Sequence, residues 1–353
     1  MSIGERIKKG RTLRGLSLRE LGEKAGISHN QISLLEKGQR NVTGTVLLSL
    51  SKALDLPLDY FVKEHTPVVK QVSYRKVKSL ATKEDRKIWQ MIEQQVENYL
   101  ELEEIMDINI PFNRRLAEGY SVRTIEDIDT ITQLIRKEYK MGEAAISNVA
   151  SFLEDIGIKV IGIKAKSGFD GVSFFVNDFI PIIAYNTSIQ NIERQRMTLL
   201  HELGHLLIEP IAESIEDKML EQLCTVFASH LLLPTNVIKN FFGGRRKNIL
   251  FSELEELQSI YGISIDAIMY RLKEMLFISE KSLKTYYMKK NSNSELKEKL
   301  EKSRYVEPTS NRFVRLINRA LDSTLITASK AMVYLKECGI NDEDANELIY
   351  SKI

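Results

Sequence analysis

The densest chemistry in the sequence lies in five residues, His201-Glu202-Leu203-Gly204-His205. On a helix, positions i and i+4 share a face, so both imidazoles can bind one metal ion. Glu202 then projects beside them, where it can take a proton from water that the metal acidifies. The chain has only 5 histidines, and such a pattern is expected by accident in roughly one sequence of this kind in two hundred. A catalytic zinc commonly takes a Glu as its third ligand. Glu213, Glu216, Glu221 and His230 follow the motif. Glu221 is best placed, directly ahead of the apolar run LCTVFASHLLLP on the next helix, whereas the others lie in the loop or two turns further on. Tyr185, Asn186 and Arg194 precede the motif and are candidates to position a substrate backbone, although a strand end and a helix start need polar residues in any case. His230 reads as an oxyanion-stabilising group or as a surface residue, with the surface reading ahead.

A second constellation stands near the N-terminus, in LSLRELGEKAGISHNQISLLEKGQR. Two short amphipathic helices flank the turn Ala25-Gly26-Ile27-Ser28, the spacing of a helix-turn-helix. The second helix would enter a major groove with Ser28, His29, Asn30 and Gln31 at its start and Ser33 one turn on, all able to hydrogen-bond base edges or phosphates. Arg11, Arg14, Lys37 and Arg40 are the candidate phosphate contacts.

The elements that must position these residues are mostly helical. Residues 3–64 read as five short helices, and 65–80 (HTPVVKQVSYRKVKSL) as a linker. A long helix is written over 82–106 by Ile88, Ile92, Val96, Tyr99 and Leu102 on one stripe. Helices are expected over 125–139 and 146–156, then strands at 158–163, 171–176 and 179–186, the last two joined by an Asn177-Asp178 turn. Further helices are expected at 193–208, 216–232, 252–260 and 265–275, followed by a polar stretch at 289–303 and a small helical tail.

Composition bounds the rest. The 353 residues are 43% hydrophobic, enough for sizeable cores, and 18 Gly with 7 Pro exclude a fibrous or disordered chain. Residues 1–66 hold 11 basic and 7 acidic side chains, while the remainder holds 39 and 41, so a basic head stands on a near-neutral body. No apolar run reaches the roughly 18 residues a membrane span needs, the start has no signal-peptide core, and two cysteines build no disulfide scaffold. A reducing, cytoplasmic setting without membrane contact is the expectation.

Two resemblances sharpen this reading. SLRELGEKAGIS at 17–28 and ISLLEKG at 32–38 resemble the XRE (phage-repressor-type) helix-turn-helix family over residues 3–62. That resemblance implies a lambda-repressor-like domain that binds double-stranded operator DNA as a homodimer. FDGVS at 169–173, IIAYN at 182–186, RQRMTLLHELGH at 194–205 and EQLCTVFASHLLLP at 221–234 resemble the ImmA/IrrE family of zinc metallopeptidases over about 75–345. Its third-ligand helix aligns with 221–234, which gives Glu221 that role beside His201 and His205, with zinc as the metal, manganese as the alternative and Glu202 as the base. Thr225 stands where the family often has Asn or Asp.

The implied fold is α+β, mostly α: a five-helix head (1–64), a linker (65–80), a zincin-like helical domain with a small sheet (81–288) and a helical C-terminal region (289–353). The implied function is a transcriptional regulator whose peptidase domain cleaves a repressor-type protein in a stress or mobile-element response. A non-proteolytic ligand-sensing regulator and an antitoxin-like autoregulatory DNA-binding protein are the alternatives.

Overall fold

A computed structural model describes residues 2–14, 16–56, 58–62, 83–166, 168–208, 215–246, 248–308 and 311–350. The expected linker at 65–80 and Glu213 lie outside them. In chain order come α1 (Ile3–Leu13), α2 (Leu18–Ala25), α3 (His29–Glu36), α4 (Gly44–Leu54), α5 (Leu58–Val62), α6 (Lys83–Ile105), α7 (Ile125–Glu138) and α8 (Val149–Asp155). The strands β1 (Lys159–Ile163), β2 (Gly171–Val176) and β3 (Ile180–Asn186) follow. Then come α9 (Ile192–Leu207), α10 (Asp217–Leu232), α11 (Thr235–Phe242), α12 (Phe251–Tyr261), α13 (Ile265–Glu274), α14 (Glu280–Ser292), α15 (Ser294–Glu301), α16 (Arg312–Asp322), α17 (Ala328–Glu337) and α18 (Asp342–Tyr350). The fold is α+β and mostly α, as expected; α11, α14 and α15 are additions to the sequence reading. Among the described residues no helix is long and apolar enough to cross a membrane.

Two compact units emerge: Met1–Asn109 with Phe175–Ile180 and Arg312–Ile353, and Ile110–Phe174 with Pro181–Asn311. These divisions cut across the expected boundaries at 81 and 289. The physical reason is the apolar stripe of α6, whose Tyr99 stacks on Phe313 of α16 at 5.1 Å and whose Leu102 shares a core with Ile317, Tyr334 and Leu335. Within the same unit, the head closes around Ile7, Leu21, Ile32, Leu35, Leu50 and Phe61. Its α1 and α2 each start with a capping box, Ser2 with Glu5 and Ser17 with Glu20, which satisfies end N–H groups locally. The turn between α2 and α3 needs Gly26, held at φ +68°, and Gly22, whose Cβ would fall 2.4 Å from Ile27 O.

In the second unit the sheet runs β1-β3-β2. β3 pairs in parallel with β1, Lys159 opposite Ile182 and Ile163 opposite Asn186. As the central strand it is buried on both faces at Ile182, Ile183 and Ala184. The β2–β3 turn has both Asn177 and Asp178 at positive φ, +51° and +68°, the primed turn that suits a twisted hairpin. After β3, α9 is capped by Asn191, whose side chain accepts from Arg194 N.

Arg196 on α9 is fully buried. It donates to the carbonyls of Ile146 at 2.6 Å, Gly262 at 3.0 Å and Tyr261 at 3.2 Å, and pairs with Glu307 at 2.6 Å. The ring of Tyr305 covers its guanidinium at 4.2 Å. Gly262, at φ +58°, makes room for it: a Cβ there would lie 2.5 Å from Arg196 Nε and 2.8 Å from Tyr305 Cγ. Gly262→Ala is therefore expected to destabilise this unit by about 2–4 kcal/mol, from overpacking and a disfavoured φ together. Gly142→Ala, also at positive φ but in open space, should cost about 1 kcal/mol. Urea unfolding of both variants checks this, and equal losses would refute the close-packing argument.

Candidate functional site

The metal-ligand candidates come together because α9 and α10 run unusually close. Gly204 permits it: a Cβ there would meet Cys224 Cα, Cys224 Cβ and Phe227 Cδ1, each at 3.2 Å. One helical turn from that contact on each side lie the reactive groups. His201 Nε2 is 3.1 Å from His205 Nε2 and 3.1 Å from Glu221 Oε2, and His205 Nε2 is 3.4 Å from Glu221 Oε1. A tetrahedral ion with bonds of about 2.0–2.1 Å separates its ligand atoms by about 3.3 Å. The trio therefore has the spacing and the donor chemistry to hold one divalent cation, and it is the group of this kind among the described residues. His205 is buried, while Glu221 remains about half exposed at 49%, so the site opens on the Glu221 side. Glu216, at the start of α10, is exposed and stands outside this group.

Two neighbours orient these groups. Thr225, one turn after Glu221, donates its hydroxyl to Glu221 O at 2.9 Å. Its oxygen is thereby left to accept from His201 Nδ1 at 3.2 Å. That bond selects the tautomer whose Nε2 lone pair faces the other two ligand atoms. Glu202, next to His201 on α9, is buried, and its Oε2 accepts a 2.6 Å hydrogen bond from Ser173 of β2. Gly171 brings that strand in, since a Cβ there would sit 2.6 Å from Thr198 Cγ2 and 3.3 Å from Glu202 Cγ. Ser173 lies within FDGVS but has no role in the sequence reading; the signal for it is the pair of small residues Gly171 and Ser173 in a strand just before the motif.

The surface reading of His230 is corrected, and Asn186 and Arg194 have partners of their own. His230 is not a surface residue but is buried. Its Nε2 lies 2.8 Å from Glu274 and its Nδ1 3.3 Å from Asp129, with Arg271 also against Nε2. These contacts engage it in tying α10 to α7 and α13. The hydrogen bond from His230 holds the Asp129 carboxyl well below the usual range despite its burial. Burial would raise Glu274, yet hydrogen bonding to His230 and the nearby charges hold it low. Asn186 serves the loops, accepting from Ala165 N and Ser188 N and donating to Phe169 O. Arg194 is spent on Asp170, with Nη2 within 2.9 Å of both carboxylate oxygens. Tyr185 is half-buried, and burial pushes its hydroxyl up to about 12 with Glu307 and Glu154 adding to the shift.

In the head, α3 presents His29 and Asn30 exposed at its first turn, with Gln31 and Ser33 half-buried beside them. Ser28 is the N-cap, accepting from Gln31 N. Lys37 and Arg40 are exposed. Arg11 is not the free cation that was expected: it makes two hydrogen bonds to Glu36, at 2.6 and 2.9 Å, and a third to Leu16 O. Arg14 likewise donates to Leu54 O and Asp55 O at the end of α4.

The helix-turn-helix family profile matches residues 7–61, and the IrrE N-terminal-like domain profile matches residues 153–273. Uncharacterized HTH-type transcriptional regulators of Sinorhizobium medicae and Rhizobium meliloti are each 37% identical over 62 residues, 18% of this chain and 45% of theirs. An uncharacterized transcriptional regulator in the ATPase CF(0) region of Rhodospirillum rubrum is 32% identical over 62 residues, 18% of this chain and 57% of its own. The chain spans about half the length of these curated relatives.

Two outcomes are expected. Elemental analysis should find close to one divalent metal per wild-type chain, a sharp loss in Glu221→Ala, and no loss in Glu216→Ala. Thr225→Val should weaken metal affinity about tenfold or more by releasing His201; unchanged affinity would discard the tautomer argument. Separately, Arg11→Ala should cost the head about 3 kcal/mol by stranding Glu36. Gln31→Ala should leave thermal stability intact and weaken binding to a cognate duplex by about 1–3 kcal/mol. An Arg11→Ala head that melts like wild type refutes the clamp.

Proposed function

Because the chain joins a helix-turn-helix domain to an IrrE N-terminal-like domain, we propose that it is a cytoplasmic transcriptional regulator with a metallopeptidase site. On this reading the head binds double-stranded operator DNA as a homodimer, and the second domain cleaves a repressor-type protein. The observation that carries the peptidase half is the combination of the His201–His205–Glu221 trio with a buried carboxylate on the same helix, Glu202, fixed by Ser173. A site that served only to sense a ligand would have no use for that base beside the ligands.

A divalent cation held by His201, His205 and Glu221, zinc or manganese, supplies Lewis acidity that polarises a peptide carbonyl and acidifies water. Glu202 takes the proton of the attacking water and returns it to the leaving amine, so one carboxylate serves as base and then acid. The bond from Ser173 leaves the second oxygen of Glu202 for that exchange and spares it the search over rotamers. Thr225, at 3.2 Å from His201 Nδ1, holds the His201 ring by its other nitrogen. Burial of His205 and Glu202 lowers the local dielectric, which strengthens each of these interactions.

Glu202→Gln keeps the size of the side chain and removes the proton acceptor. It should retain metal and DNA binding while cleavage of the cognate repressor falls by at least about a hundredfold. Immunoblots of repressor-type proteins of the same cell, in wild-type and Glu202→Gln strains under inducing stress, decide it. If no protein is cut in either strain and both regulate alike, the peptidase assignment fails and the domain is a ligand sensor.

A further inference from the structure

Within the first unit, α5, α6 and α17 border a cavity of about 480 Å³, inside the range of about 300–1,000 Å³ typical of small-molecule sites. Tyr60 and Val62 reach it from the DNA-binding head, Gln94, Asn98 and Glu101 from successive turns of α6, and Val333 from α17. Leu325 and Ile326 add apolar wall ahead of α17. Such a lining suits a ligand with an apolar body.

The polar side of the lining has a definite direction. The Glu337 carboxylate can only accept, and it accepts from Asn98 Nδ2. Asn98 is thereby turned so that its Oδ1 accepts from Gln94 Nε2 at 3.1 Å. Gln94 is 4% exposed, and this relay leaves its Oε1 as a buried acceptor without a partner. Native structures rarely leave such an oxygen unsatisfied. Glu101 meanwhile takes Lys330 at 2.7 Å and the Tyr334 hydroxyl at 2.8 Å. Two carboxylates and one lysine thus line the cavity, and the Gln94 amide oxygen buried in its wall lacks a donor.

We propose that this cavity binds a small amine, an apolar body ending in an N–H-donating ammonium group, and that its occupancy braces the DNA-binding head against α6 and α17. Gln94 Oε1 receives the donor, and the apolar body lies along Val62, Val333 and the Tyr60 ring. The head already touches α6 through the buried Lys9–Glu97 pair at 2.7 Å, so a ligand in contact with both adds to an existing junction. This proposal stands apart from the peptidase reading, since none of its residues belongs to the metal site.

The full-length chain is titrated calorimetrically with tryptamine and with hexylamine, and with indole-3-propionate as the anionic counterpart of the first. Saturable binding of at least one amine and none of the acid is expected, with slower amide exchange in 58–62 when the amine is bound. Gln94→Leu should weaken amine binding at least tenfold. Val333→Trp, which fills the cavity, should abolish it with circular dichroism unchanged, and decides the matter if Gln94→Leu fails to fold. No saturable amine binding at millimolar concentration, equal binding of the acid, or wild-type binding by Val333→Trp overturns the proposal.

Discussion

A single buried guanidinium sets the position of the HExxH helix. Arg196 lies five residues before His201 and has no water to solvate it, so every one of its donors must find protein. It finds them on segments far apart in sequence: the 146–147 turn, the 261–262 turn and Glu307. Moving α9 along its axis would break several of these bonds together, leaving a buried charge exposed to nothing. The helix is fixed in translation by that anchor and in rotation by the close contact at Gly204. A metal site tolerates errors of a few tenths of an ångström, and these two constraints meet that tolerance with one charged and one absent side chain.

The site itself follows a division of labour between strand and helix. α9 and α10 supply ligand atoms, while β2 supplies only Ser173, yet that hydroxyl holds the one carboxylate that is not a ligand candidate. The same pattern recurs at Thr225, where a hydroxyl already committed to Glu221 O can only accept from His201. Small polar residues thus decide orientation, and large ones decide chemistry. The His230 group follows the opposite logic: its carboxylates, Arg271 and imidazole pair with one another across α7, α10 and α13 and so serve packing.

How much of this could be read from the sequence depends on the range over which each residue acts. His201, His205 and Glu202 were legible because helical periodicity alone places them. Glu221 was legible from its position ahead of an apolar run, and the helices and hairpin from their caps, period and turn residues. The pairing of Arg11 with Glu36 is not legible, because Glu36 lies on another helix. His230 misled for the same reason, since Asp129 and Glu274 come from other helices. The apolar stripe of α6 shows that a partner exists but not that it is α16 and α17.

Gln95 on α6 donates to Glu337 O, 242 residues later in the chain. Ribosomes add about 5–20 residues per second, so the apolar face of α6 waits about 10–50 s for its covering helices while the helix-turn-helix head, built from local contacts, has long since folded. During each round of synthesis the nascent chain therefore displays a finished DNA-binding head beside an uncovered hydrophobic stripe.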